Sequence, residues 1–463
     1  MLAPPTAREQ VPLRDEDLLE FFVRGERPDR SQHKIGTEQE KFGVALAGGI
    51  APIEYQAHVL EVFEALIDRF GWQPATDRGT SGEIVALERN HQFITLEPGG
   101  QLELSGRPLT TLHETCRELD EHKRELTTVS EPLGIAWMAA GFHPFATREQ
   151  VHWMPKGRYV VMRDYLPTRG TRGLDMMLRT CTVQANFDYA NEKECGNRFR
   201  IALALGSIVA VMFANSPYIE GKHTGVRSAR SLVWSDVDPD RCGIPAFAFA
   251  STDFSYGAYV RWALEIPMFF VKRGGIYHPH HATFREYMAH GFTDPQGRHH
   301  VATYEDWKHH LSTLFPEVRL KPYIEVRGAD SVASEFVCAL PALWKGILYD
   351  DDACEQAWAL LDTLDYAERL ALWDEARQAG FDSPRVHALC KQVLTISHRA
   401  LERSNVCDSH GRNEARFLAP IMELVDAKRT PADRALARLG NAPGTDRQAR
   451  QKYHEQFYFA GAR

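Results

Sequence analysis

Residues 92–106, QFITLEPGGQLELSG, alternate apolar and polar side chains on both sides of Pro98-Gly99-Gly100. Successive side chains of a strand point to opposite faces, and a short Gly-containing break between two such runs predicts a hairpin. Ile94, Leu96, Leu102 and Leu104 then share one face, and Thr95, Glu97, Gln101, Glu103 and Ser105 the other. Phe93 alone breaks the alternation. The apolar face has to lie on a core, which leaves the acidic face turned away from it. A solvated outer strand produces the same pattern, so other segments must decide between solvent and a ligand.

Three segments bear on that choice. In HKIGTEQEKFGVAL (33–46), strand periodicity puts Gly36, Glu38, Glu40 and Phe42 on one face, with the carboxylates about 7 Å apart. In RLKPYIEVRGAD (319–330), Tyr323, Glu325 and Arg327 lie opposite Ile324 and Val326. An exposed cross-strand ion pair, worth about 0–1 kcal/mol, explains that pattern equally well. In LRTCTVQANFDY (178–189), Thr180, Thr182, Gln184 and Asn186 form an uncharged polar face against Cys181, Val183, Ala185 and Phe187. Such a face suits hydrogen bonding to a ligand, or to water. Glutamates converging on one sheet repel unless a cation neutralises them, and an all-oxygen donor set favours Mg²⁺ or Mn²⁺ over zinc. Mg²⁺ typically takes one or two carboxylates together with phosphate oxygens, so ATP fits this arrangement.

Arginines suited to bidentate recognition of carboxylate or phosphate occur in two Pro/Gly-punctuated stretches that read as loops. Residues 154–173 hold Lys156, Arg158, Arg163, Arg169 and Arg172, and residues 213–241 hold Arg227, Arg230 and Trp234. A solubilising basic loop is the alternative for both. The histidines between 278 and 310 lack the partners of a zinc site. GxGxxG, GxSxG, HExxH and GxxxxGK[ST] are all absent, which removes the Walker and Rossmann routes to a nucleotide.

Composition sets outer bounds. The 463 residues are 44% hydrophobic and 25% charged with a net charge of −8, a profile of a folded protein without an overall basic field for nucleic acid or anionic lipid. The apolar run Ile201–Ala214 is too short to span a bilayer and reads as a buried helix, so no membrane association is expected. The start, MLAPPTAREQVPLRDEDLL, has no signal-peptide pattern and is too acidic for a transit peptide, giving the expectation of a cytoplasmic protein. Eight cysteines without a CxxC predict mostly reduced thiols. Helices are predicted over 55–70, 111–129, 192–214, 355–380 with a break at 362–365, 385–404 and 415–428. No linker or repeat divides the chain, so a single catalytic domain is expected over 1–463, with a mixed core to residue 350 and a helical layer over 351–463.

The blocks HKIGTEQEKFGV, ITLEPGGQLELSG, MPKGRYVVMRDYLP, GLDMMLRTCTVQANFD, FANSPYIEGK, FPEVRLKPYIEVRGAD and CALPALWKGILYDDD occur in an order that closely resembles the plant-type glutamate–cysteine ligases of plants and many proteobacteria. The resemblance implies an α+β fold with a glutamine-synthetase-like curved antiparallel sheet and surrounding helices, either monomeric or homodimeric. It implies ligation of L-glutamate to L-cysteine through γ-glutamyl phosphate, the first step toward glutathione, with ATP as co-substrate and Mg²⁺ (or Mn²⁺) as cofactor. By motif position it implies Glu38, Glu40, Glu97, Glu103 and Glu325 as metal ligands, with Glu38 and Glu97 also toward the nucleotide. Arg327 corresponds to the γ-phosphate contact, and Arg158 and Arg230 to substrate-positioning arginines. Thr180, Thr182 and Gln184 correspond to the glutamate pocket. Cys116 and Cys338 resemble one redox pair of the plant members in placement, or are small buried hydrophobes; the second plant pair has no counterpart in residues 277–295. A ligase using another amine acceptor and a non-catalytic sensor on the same fold are the alternative readings.

Overall fold

In the computed structural model, residues 11–75, 79–250 and 254–461 are described; the N-terminal reading over residues 1–10 lies outside them. The sheet is organised around its longest strand, β1 (Ile35–Ala45). It continues with β2 (Ala51–Pro52), β3 (Gln73–Pro74), β4 (Ala86–Arg89), β5 (Gln92–Leu96), β6 (Leu102–Ser105), β7 (Ile135–Met138) and β8 (Thr182–Phe187), and closes with strands Val318–Leu320 and Ile324–Asp330. Across the sheet the order is Val318–Leu320, Ile324–Asp330, β8, β1, β6, β5, β4, β3, and β2 and β7 join the far half of β1. Every pairing in it is antiparallel.

The 92–106 hairpin forms as its alternation predicts. Leu96 pairs with Leu102, and the Glu97 amide donates to the Gln101 carbonyl at 2.9 Å, leaving residues 98–100 as the turn. Gly100 closes it at φ 81°, a region that favours glycine. Ile94, Leu96, Leu102, Leu104, Val183, Ala185, Phe187, Ile324 and Val326 are buried on the back of the sheet.

Helices flank the sheet: α1 (Asp15–Val23), α2 (Leu60–Phe70), α3 (Leu112–Ser130), α4 (Gly157–Tyr165), α5 (Gly173–Arg179), α6 (Glu192–Met212) and α7 (Ala229–Trp234), of which α4, α5 and α7 lie over its polar face. The expected helix over 55–70 starts as a wider turn, Tyr55–Val59, before becoming α2. Thr111 caps α3 through a capping box with Glu114. The α6 helix has the length and apolarity of a membrane span, but 72% of its most apolar window is buried, so it acts as a core helix. It packs on strand Ile324–Asp330, while helix Ala339–Leu348 lies on β8 and is itself covered by helix Pro384–Ser404. The predicted break at 362–365 separates helices Asp351–Ala359 and Tyr366–Ala379. One hydrophobic cluster runs from Leu18 to Phe459.

Two expectations need correction. Residues 154–173 are largely helical, as α4, a short turn at Leu166–Thr168 and the start of α5. Pro155 and Pro167 flank α4 rather than interrupt it, and Tyr159, Met162 and Tyr165 at helical spacing bury one face. The 213–241 stretch contains α7, capped by the Ser228 side chain, so Arg230 sits on a helix. The expectation of mostly reduced thiols stands, and of the two readings of Cys116 and Cys338 the pair is the one that forms: Cys116 on α3 and Cys338 make a disulfide, with Cα atoms 5.9 Å apart. The remaining six are free. A link between helices 222 residues apart is a tertiary fact that cysteine spacing does not encode.

Candidate active site

The polar face of the sheet is the floor of a cavity of about 1050 Å³, roofed by α4, α5 and α7. Strand register sets its carboxylates in rungs. Glu40 on β1 is directly opposite Glu103 on β6, so their Cβ atoms lie about 5 Å apart. One rung further along β1, Glu38 faces Ser105 on β6 and Gln184 on β8, and Asn186 faces Glu325 on the closing strand. Glu97 enters at the turn of the β5–β6 hairpin. Like charges placed directly opposite on a sheet are destabilising, so this floor has a stability penalty that a ligand has to relieve.

Few protein donors relieve it. Glu38 accepts from Asn186 Nδ2 at 2.8 Å, and Glu40 from the Thr182 amide at 2.9 Å. Glu103 accepts from Ser105 Oγ at 2.5 Å and Thr95 Oγ1 at 3.3 Å. Burial, followed by the neighbouring Glu103 and Glu325, pushes the Glu38 carboxyl up to about 7. Burial with Glu97 and Glu103 raises Glu40 well above the usual range. Burial also raises Glu103, with Glu97 adding to it, and raises Glu97 despite the opposing Lys156, Arg158 and Arg327.

Glu325 is different. Burial opposes its ionisation, yet Arg319, Lys321 and Arg327 hold its pKa well below the usual carboxylate range. Its Oε1 accepts from Arg319 Nη2 at 3.0 Å and Lys321 Nζ at 2.9 Å. Its Oε2 accepts from Arg319 Nε and Arg327 Nη1, both at 2.7 Å. Its four ordinary acceptor positions are taken by these three side chains, so in this arrangement Glu325 holds Arg319, Lys321 and Arg327 in place.

The donor set fits a hard cation in one respect and limits it in another. The facing groups are all oxygens, as Mg²⁺ prefers. Among the described residues, however, no three His, Cys, Asp or Glu side chains stand close enough to hold an ion by themselves. An ion here needs oxygens from a ligand as well.

Arg158, on the first turn of α4, makes no hydrogen bond or ion pair among the described residues, and its Nε is buried without a partner there. It lines the cavity together with Lys156, whose Nζ donates to the Leu96 carbonyl at 2.8 Å. Arg230 donates to the carbonyls of Gly328 at 3.0 Å and Arg327 at 2.9 Å, while its Nε is buried and unpartnered. Arg327 also donates to Gln184 Oε1 at 2.9 Å. Thr180, Thr182, Gln184 and Asn186 all line the cavity. The Thr180 and Thr182 hydroxyls donate to the carbonyls of Met176 and Ala329, at 2.7 and 2.6 Å.

The structure thus brings Glu38, Glu40, Glu97, Glu103, Arg158, Arg230, Arg327, Thr180, Thr182 and Gln184 to one cavity, with Glu325 buried behind Arg327. It leaves Arg169 paired with Asp238 and Asp240, Arg163 against Asp164, and Arg227 on Asp382 and Asp433. Sequence reasoning passed over Arg319 and Lys321; extending the alternation back from Glu325 places both on its face. It also passed over Met176, Met177 and Tyr159, which reach the cavity from helices outside the sheet. Of the histidines between 278 and 310, His309 lines the cavity and His300 pairs with Asp294.

The glutamate-cysteine ligase family 2 model matches residues 34–458. The chloroplastic glutamate–cysteine ligase of Arabidopsis thaliana is 41% identical over 445 residues, covering 94% of this chain and 82% of that one. The corresponding Brassica juncea enzyme is 40% identical over 442 residues, covering 94% and 83%. A solved glutamate–cysteine ligase from Francisella tularensis in complex with AMP superposes with a TM-score of 0.52 at 12% identity, over 91% of this chain and 89% of that one, and so shares the fold. The α+β class expected for the chain stands. On the extent of the family match and the identity to full-length relatives, this chain belongs to glutamate-cysteine ligase family 2.

Proposed function

We propose that this protein joins the γ-carboxylate of L-glutamate to the amine of L-cysteine at the expense of ATP. The observation that carries the reading is the pairing, in one cavity, of under-neutralised carboxylates with the unpartnered Arg158. The four glutamates lack enough protein donors, and Arg158 lacks an acceptor. A metal-bound triphosphate and an amino-acid carboxylate supply both. The relatives named as glutamate–cysteine ligases support the choice of substrates.

Glu38, Glu40, Glu97 and Glu103 would hold Mg²⁺, or Mn²⁺ in its place. The ion supplies neutralisation of the phosphate charge, so that an anionic carboxylate can approach. Arg158 takes the glutamate α-carboxylate bidentately and Arg230 Nε adds a donor, while the Gln184 amide nitrogen donates to the side chain and Thr180 and Thr182, their hydroxyl protons committed to backbone carbonyls, shape its pocket. Arg327, oriented by Glu325 and Gln184, donates to the γ-phosphoryl oxygens as charge moves onto them. A γ-carboxylate oxygen bonds to the γ-phosphorus and ADP leaves. The cysteine amine then bonds to the acyl carbon, and phosphate departs as the amine loses its proton.

The reading is tested by ADP release. Rapid release is expected only with glutamate, cysteine, ATP and Mg²⁺ together; equal release without cysteine refutes it. Glu103→Gln is expected to abolish turnover while keeping the melting curve of the parent protein.

A further inference from the structure

The hairpin alternation puts a polar side chain at every front-facing position except 93. Phe93 occupies that front position, pairs with Ser105, and lines the cavity. It is 39% exposed, the most exposed phenylalanine among the described residues. Scattered surface apolar residues need no explanation, but this ring lies inside the substrate cavity on a polar face. Burial does not account for it, and a polar residue would satisfy the pattern better.

Register locates the ring relative to the carboxylates. Phe93, Ser105, Glu38 and Gln184 form one continuous rung across four strands. Neighbouring strands are spaced about 4.8 Å apart, so the Phe93 position is about 10 Å from Glu38. A ribose and its first phosphates bridge such a gap. Arg230, whose Nε is unpartnered, holds the Arg327 carbonyl, and Arg327 in turn bonds Gln184, so this arginine pair belongs to the rung end opposite Phe93. Along the rung an open aromatic face thus stands at one end, the Glu38 carboxylate in the middle and the Gln184–Arg327–Arg230 side at the other.

We propose that Phe93 is the stacking platform for the nucleotide base, a specificity-determining residue for the nucleotide. The inference rests on the ATP-dependent reading above. Stacking on a phenyl face tolerates any base, because every base has a π-face. Phe93 accordingly sets affinity for nucleotides over bare polyphosphate and leaves the preference for adenine over guanine to other groups.

Calorimetric titration of the wild type, Phe93→Ala and Phe93→Trp with Mg²⁺·ADP and with Mg²⁺·tripolyphosphate tests this. Phe93→Ala is expected to weaken ADP binding about 5- to 150-fold and to leave tripolyphosphate within about twofold, with Phe93→Trp restoring ADP binding. Unchanged ADP affinity in Phe93→Ala overturns the proposal, and so does parallel weakening of both ligands, which marks a merely structural effect. The two readings fail separately. Wild-type protein that binds ADP through Phe93 yet releases no ADP in response to glutamate and cysteine sinks the ligase reading alone. Ligation by the wild type with full ADP affinity in Phe93→Ala sinks the base subsite alone.

Discussion

Replacing a cavity carboxylate should make the metal-free protein more stable while making it a worse ligand for metal and nucleotide. Glu38→Gln is the cleanest case, because a glutamine carbonyl still accepts from Asn186 Nδ2, now at 2.8 Å from Oε1. Burial and the neighbouring Glu103 raise the Glu38 carboxyl from 4.5 to about 7. At about 1.4 kcal/mol per pH unit, ionising it in the fold costs on the order of 3 kcal/mol more than in the unfolded chain. The neutral form's preference for the fold is fully present below pH 4.5 and is lost as pH rises through 7. Glutamine is neutral throughout, so its advantage is small at pH 5 and full at pH 8. Sharing of charge across the cluster reduces the gain to about 1–3 kcal/mol. For 463 residues, an unfolding entropy of about 2 cal/mol/K per residue converts this to a rise in Tm of about 1–3 °C. Thermal melts in EDTA at pH 5 and pH 8 measure it, with Mg²⁺·ADP added in a second series. The variant is expected to gain at pH 8, to match the wild type at pH 5, and to be stabilised less by Mg²⁺·ADP. A variant no more stable than wild type at pH 8, or a difference independent of pH, refutes the reasoning.

Three further outcomes are expected. Arg327→Ala lowers kcat about 100- to 1000-fold by removing a donor to the transferring phosphoryl group; because Arg319 and Lys321 still pair with Glu325, its melting curve stays close to the parent's. His143, buried beside Phe42 and Phe145, has its pKa lowered from 6.5 to about 3 by burial, with Arg179 adding to it. Its contribution, at most about 5 kcal/mol, is fully present above pH 6.5 and is lost as pH falls toward 3, so His143→Gln flattens the acid limb of stability in urea titrations. The Cys116–Cys338 bond closes a loop of 222 residues, and its loss is expected to cost about 2–5 kcal/mol. Dithiothreitol should therefore lower the Tm of the wild type and leave that of Cys116→Ser unchanged.

Much of the floor was legible because strand periodicity is a local code. The alternation in 33–46, 92–106 and 178–189 is enough to assign Glu38, Glu40, Glu97, Glu103, Thr182 and Gln184 to polar faces, since side-chain direction depends only on position along a strand. The C-terminal helices were legible for the same reason, their apolar residues recurring at helical spacing. Proline and glycine misled where they flank a short helix, as at α4, because punctuation marks an element's end without saying what lies between. Assembly is not a local property. The sequence by itself determined which residues face together on each strand and that the acidic faces need a cation or solvent. Only the tertiary structure decided that β1 sets Glu40 against Glu103, that Glu325 is enclosed by Arg319, Lys321 and Arg327, and that Cys116 meets Cys338. Register, ion-pair partners and disulfides join residues distant in the chain, and packing of the whole fold selects among pairings that local pattern leaves equivalent.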